Sequence, residues 1–176
     1  MNNNYNLWRK IFLFSLGLFA GTAFCMKWME GDFIQNGEEF TVIGLEISYT
    51  KEKVVGILAG LDDHVKMILR YHLSFDFVFM AGAYPGIAAL CMMARNKSAG
   101  SVIRNILLVF ALLQIVAWAC DIYENYCLLK WINNPAIGDE FSFYHIIVSA
   151  KWIIALTGAL LAIPLTLRKR SILKTG

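Results

Sequence analysis

Long apolar runs divide this chain at Ile11 to Met26, Phe77 to Ala94, Ile106 to Cys120 and Trp152 to Leu167. Each approaches the ~20 residues a helix needs to cross a bilayer once flanking interfacial residues are counted. The pattern therefore predicts four membrane helices over about 8–28, 73–94, 104–127 and 144–167. The two later connections are short, so consecutive spans are expected to lie antiparallel, in an all-α up-down four-helix bundle forming one membrane domain over 1–176.

The remaining sizeable segment, 29–72, is patterned differently. In "EEFTVIGLEISY" apolar and polar residues alternate through Phe40, Val42, Leu45 and Ile47, which suits a short strand or an extended cover. Thr50 then has the chemistry of a helix cap, with Glu52 in the first turn complementing the dipole. Val54, Ile57, Leu58, Leu61, Val65, Ile68 and Leu69 follow at helical spacing among lysines and aspartates. An amphipathic helix pair, broken or re-capped near Gly60 to Asp63, is expected there as a lid over the bundle mouth.

Charge orients this arrangement. The 16 basic and 13 acidic residues leave a net charge of +3, and three of the span-flanking segments are basic without any acidic residue. Arg9, Lys10, Arg95, Lys97, Arg104, Arg168, Lys169, Arg170 and Lys174 flank one set of span ends, and every acidic residue lies in the other two loops or at the span ends facing them. By the positive-inside rule both termini are expected in the cytoplasm and the 29–72 and 128–144 segments outside. A 58% hydrophobic content and a mean hydropathy of +0.55 exclude an ordinary soluble domain. No basic stripe with interleaved aromatics offers a nucleic-acid surface. The first span could pass for a cleavable signal, but its apolar run continues to Met26. Gly17 and Gly21 also form a G-x-x-x-G suited to helix packing, including homo-oligomer formation.

Candidate chemistry lies in charges where hydrocarbon is expected. Asp121 lies six residues before Cys127 and Lys151 six past His145, each roughly 9 Å deep at helical rise, on consecutive antiparallel helices. They are a natural ion pair. Glu124 and Asn125 share Asp121's helical face, and Gln114 extends that face inward. Asp76 opens the second span on the same side; Tyr84 and Pro85 interrupt it within "AGAYPG", where a freed carbonyl could be met by Tyr84 or Gln114. Lys151, Ala155, Gly158 and Ala162 form a stripe whose small residues belong against a neighbouring helix, aiming the lysine inward. Charges in a span mark functional sites by default. The expected site is an outward-opening polar pocket of Asp76, Asp121, Glu124, Asn125 and Lys151, with Tyr84 and Gln114 deeper and Glu46 supplied by the lid. Snorkelling at an interfacial helix end, or a structural ion-pair network, are the competing readings.

Several signals point nowhere. Cys25, Cys91, Cys120 and Cys127 contain no C-x-x-C, though Cys25 and Cys127 both approach the outer face and could bridge. His72, His145 and Asp76 share one rim without metal-site spacing, so neither metal nor cofactor is expected. Trp28, Trp131 and Trp152 suit interfacial anchors, and Asn96 in "NKS" faces the cytoplasm. No H-E-x-x-H, G-x-S-x-G or P-loop occurs.

Between Gly44 and Leu167 the chain resembles a group of uncharacterised bacterial four-span integral membrane proteins. The likeness is carried by "GLEIS" with Glu46, "SFDFVFMAGAY" with Asp76 and Tyr84, the D-x-x-E-N of "DIYEN" in the third span, and Lys151 in the fourth. The resemblance implies one shared site for these residues and no particular chemistry. Three functions remain open: binding of a small amphiphile or lipid headgroup from the outer leaflet, with Lys151 contacting an anionic group; a lipid-modifying enzyme using Asp121 or Glu124 as acid or base; and a homo-oligomeric channel or accessory subunit.

Overall fold

In the structure, a computed structural model describing residues 3–168, the chain is almost entirely helical. The order is α1 (Asn3–Met29), a short hairpin of β1 (Ile34–Gln35) and β2 (Glu38–Glu39), α2 (Lys51–Gly60), α3 (Asp63–Lys97), α4 (Ser101–Asn133) and α5 (Glu140–Leu167). Four helices, α1 with its following turn, α3, α4 and α5, are long and apolar enough to cross a membrane. They pack as an all-α bundle in which α3, α4 and α5 contact one another and α1 lies against α3. Lys169, Arg170 and Lys174 of the basic tail lie outside the described residues.

Helix length explains the second layer. At 1.5 Å per residue a helix as long as α3 or α4 extends about 50 Å, some 20 Å more than a ~30 Å hydrocarbon layer. At the end where α3 begins and α4 ends, the bundle is covered by a second layer. There Leu69, Leu73, Leu128, Trp131, Tyr144 and Val148 bury themselves against Phe33, Phe40, Val42, Leu45, Val54 and Leu58 of the segment between α1 and α3. This capped end carries its own hydrophobic core. At the opposite, basic end the Lys97 ammonium donates to the Thr166 carbonyl and ties α3 to α5.

The capping segment departs from the expected extended cover. Asn36 (φ 53°) and Gly37 (φ 82°) turn β1 into β2, the left-handed pair an Asn-Gly hairpin requires. The stretch read as alternating instead closes into a π-helical turn over Gly44–Ser48, started by Thr41, whose hydroxyl accepts from the Gly44 amide at 2.9 Å. The reason is visible in its spacing: Phe40, Val42 and Leu45 are buried, and the step of three between the last two belongs to a helical turn rather than a strand. Gly44 is needed because a Cβ there would fall 2.3 Å from the Tyr49 ring. Thr50 caps α2 by accepting from Lys53 N at 3.4 Å, and Asp62 caps α3 by accepting from Val65 N at 2.8 Å. From Asp63 the helix then runs without a break through Pro85 to Lys97.

Close helix contact falls on other glycines than the first G-x-x-x-G. A Cβ on Gly82 would lie 2.7 Å from Phe19 N and 2.9 Å from Ser15 O, and one on Gly86 3.2 Å from Ser15 Cβ. α1 therefore meets α3 backbone to backbone. Gly17 and Gly21 face open space within the chain, with nothing within 4 Å of a Cβ at either. Of the three tryptophans expected as interfacial anchors, Trp28 is exposed, Trp152 is half-buried, and Trp131 is fully buried in the capped core against Tyr144. Cys25 and Cys127 both carry free thiols.

Candidate functional site

One buried polar cluster lies where α3, α4 and α5 meet. Lys151 on α5 is about 24 Å from the basic end of its helix. Its side chain is aimed inward because Tyr144, Val148, Lys151, Gly158 and Ala162 all lie on the buried face of α5. On α4 the matching buried face carries Gln114, Asp121, Glu124 and Asn125. Antiparallel packing brings these two faces into register.

The Lys151 ammonium is surrounded by carboxylates. Its Nζ lies 2.6 Å from Asp121 Oδ1, 2.5 Å from Glu124 Oε2 and 3.6 Å from Glu46 Oε2. Of these, Asp121 Oδ1 accepts a hydrogen bond from the ammonium, Glu124 Oε2 makes an ion contact, and Glu46 lies beyond hydrogen-bond distance. The second oxygen of Asp121 accepts the Tyr84 hydroxyl of α3 at 2.6 Å, so Tyr84, Asp121 and Lys151 form one hydrogen-bonded chain across three helices. Beside it Asn125 Nδ2 donates to Asp76 Oδ2 at 2.6 Å, linking α4 to α3 again. Lys151 is 5% exposed, Asp121 3%, Asn125 1% and Glu124 0%, so these four are buried rather than snorkelling, while Glu46 and Asp76 at the edge of the cluster are half-buried.

The outward opening expected from the sequence is filled in this structure by the Gly44–Ser48 turn. Besides the Lys151–Glu46 ion contact, two further contacts hold that turn on α5: His145 Nε2 lies 2.9 Å from the Ile47 carbonyl, and Trp152 Nε1 donates to Glu46 Oε2 at 3.3 Å. The physical cause is burial of Leu45 and Phe40 in the capped core, which draws the turn, and with it Glu46, down onto Lys151. Trp152 and His145 are the site residues that sequence reasoning missed. Their signal was position: one adjoins Lys151 and the other precedes it by six residues on the same helix.

Not every expected member joins. Gln114 is buried, but its amide donates to the Phe110 carbonyl of its own helix at 3.1 Å and packs against Gly158 rather than meeting a carbonyl near Pro85. His72, read from the sequence only as sharing the rim, has its ring edge-on to Phe33 and its Nε2 4.0 Å from Glu30, with neither ring nitrogen hydrogen-bonded among the described residues.

The charge count is uneven. Glu46, Asp76, Asp121 and Glu124 bring four carboxyl groups to one ammonium. Both Glu124 oxygens are buried without a hydrogen-bond partner among the described residues, Oε2 making only the ion contact with Lys151, and the hydroxyl of Tyr144, seven residues before Lys151 on the same face, is likewise unpartnered. A buried charged group left with an open valence is unfavourable by ~1–3 kcal/mol or more, so it marks a place where a further donor is accepted. No family model, curated protein or solved structure matches the chain, so the chemistry of this site rests on its own geometry.

Proposed function

We propose that this chain is a membrane-embedded binding protein whose buried cluster holds the polar head of a small amphiphile or lipid. The observation that carries the proposal is the Lys151–Asp121–Glu124 cluster, buried within helices long enough to cross a membrane and still keeping hydrogen-bonding capacity at Glu124 Oε1. The ligand's tail would lie between apolar helix faces, and its head would enter past the Glu46 turn, which acts as the lid. In this reading the protein lies in a bacterial inner membrane with both termini and the 98–100 turn on the cytoplasmic side, because the basic span-flanking residues gather at that end and the acidic ones at the other. Gly17 and Gly21, free within the chain, are available for a homo-oligomer contact.

The enzymatic alternative is favoured by one feature, the Tyr84–Asp121–Lys151 chain, which could relay a proton. In it Glu124 is the better acid or base, because both Asp121 oxygens are already engaged.

Native mass spectrometry of the protein released from its own membranes tests the binding reading. A defined small-molecule adduct on the wild type, absent from Glu124→Gln, is the expected result. Bare protein in both samples would overturn it, and a chemically altered adduct accumulating only in Glu124→Gln would favour catalysis.

A further inference from the structure

The ligand class follows from which valences the cluster has used and which it has left. The Lys151 ammonium is already surrounded by carboxylates, with Asp121 and Glu124 within 2.6 Å and Glu46 at 3.6 Å. An anionic head would have to displace a carboxylate already bound there and would enter a site that holds Asp76 as well. Like charges brought together in a medium of low dielectric repel strongly, so that exchange is unfavourable. The unused capacity is on the acceptor side. Neither oxygen of Glu124 has a hydrogen-bond partner among the described residues, on a side chain that is 0% exposed; Oε2 is held as an ion contact 2.5 Å from Lys151 and Oε1 has no such contact. Four carboxyl groups against one ammonium leave the cluster short of positive charge and of N–H or O–H donors.

Resting on the headgroup-binding reading above, we propose that the site takes a primary ammonium carried on an apolar tail, seated on Glu124 Oε1 beside the Lys151 ammonium and balanced by Asp76, Asp121 and Glu46. A primary ammonium fits both shortages. It supplies a positive charge and up to three donors in a volume close to that of the lysine head already present. The flanking surfaces suit the rest of such a molecule: Trp118 stacks on Tyr84 at 6.4 Å between centroids, and Trp152 lies beside Lys151 with the ammonium 5.4 Å from its ring. The Tyr144 hydroxyl, buried and unpartnered on the same face of α5, is available to accept from the same head.

The test uses the full chain in maltoside micelles and native mass spectrometry with five probes: octylammonium, octyltrimethylammonium, octanol, octyl phosphate and a short-chain phosphatidylethanolamine. The inference expects octylammonium to bind one per chain in preference to the quaternary, neutral and anionic heads. It expects Glu124→Gln to weaken that binding about thirtyfold or more, the loss that follows truncation of one partner in a buried charge pair. Binding of the phosphatidylethanolamine as well would identify a membrane lipid as the source of the ammonium; binding of octylammonium alone would identify a simple alkylamine. Preference for octyl phosphate or octanol would overturn the charge assignment and leave the headgroup reading standing. Failure of all five probes would overturn both. Because the charge preference is read on the wild type, the inference is testable even if Glu124→Gln does not fold.

Discussion

Replacing Lys151 by methionine keeps the length and much of the volume of the side chain and removes only the charge and its donors. The consequence follows from burial. Lys151 is 5% exposed and sits 2.6 Å and 2.5 Å from Asp121 and Glu124, themselves 3% and 0% exposed, so solvent does little to screen the carboxylates once the ammonium is gone. Removing one partner of such a buried pair costs about 3–5 kcal/mol. In a chain of this size each kcal/mol moves the thermal midpoint by roughly 2–4 °C, so Lys151→Met should unfold about 6–20 °C below the wild type in detergent. The assay is tryptophan fluorescence during heating at several scan rates, with two companions. Lys27→Met removes an equally short pair, Lys27 to Glu30 at 2.6 Å, but the Lys27 side chain is 79% exposed, and the midpoint should not move. The double variant Lys151→Met with Glu124→Gln should recover part of the loss, because the amide leaves one less uncompensated charge. If Lys151→Met proves as harmless as Lys27→Met, the claim that these charges are buried and mutually dependent is wrong.

Other consequences are open to the same measurements. Tyr84→Phe deletes a donor to a buried carboxylate and should cost about 1.5–3 kcal/mol, while Asp121 stays paired with Lys151. Gly82→Ala should force α1 away from α3, since its Cβ meets backbone atoms of Phe19 and Ser15 that cannot rotate aside, and protease sensitivity around 29–50 should rise; Gly17→Ala, with open space around it, should behave as wild type in the monomer. Asp62→Ala should lower stability by about 1 kcal/mol through loss of the α3 cap.

The helices and part of the cluster were legible in the sequence for a mechanical reason. Apolar runs average over many residues, and helical rise converts residue counts into depth, so two antiparallel helices place Asp121 opposite Lys151 whatever the loops do. Glu46 was legible only as a contribution from the 29–72 segment, because its position depends on how that segment folds. There the reading slipped: the Asn36-Gly37 turn went unused, and the step of three between Val42 and Leu45 was absorbed into an alternation that the chain does not follow. Trp131 illustrates a limit of composition, since tryptophan at a span end serves an interface or a core depending on what covers it, and here the capping segment covers it. The two G-x-x-x-G patterns show the same limit. Gly82 and Gly86 make the close contact while Gly17 and Gly21 do not, and only the three-dimensional packing distinguishes them. Gln114 shared the right helical face, yet its amide turned back to Phe110, a choice that local geometry makes and periodicity does not record.

The central claim, that the cluster is a ligand site rather than a closed structural lock, is tested most directly by a crystal structure of the protein grown from lipidic mesophase with its native lipids retained. The account predicts elongated density whose polar end lies within hydrogen-bond distance of Glu124 Oε1 and whose tail follows the apolar faces of the bundle. A cluster in which Glu124 Oε1 is met only by Tyr144 or another side chain of the same protein, with no density beyond, would contradict it.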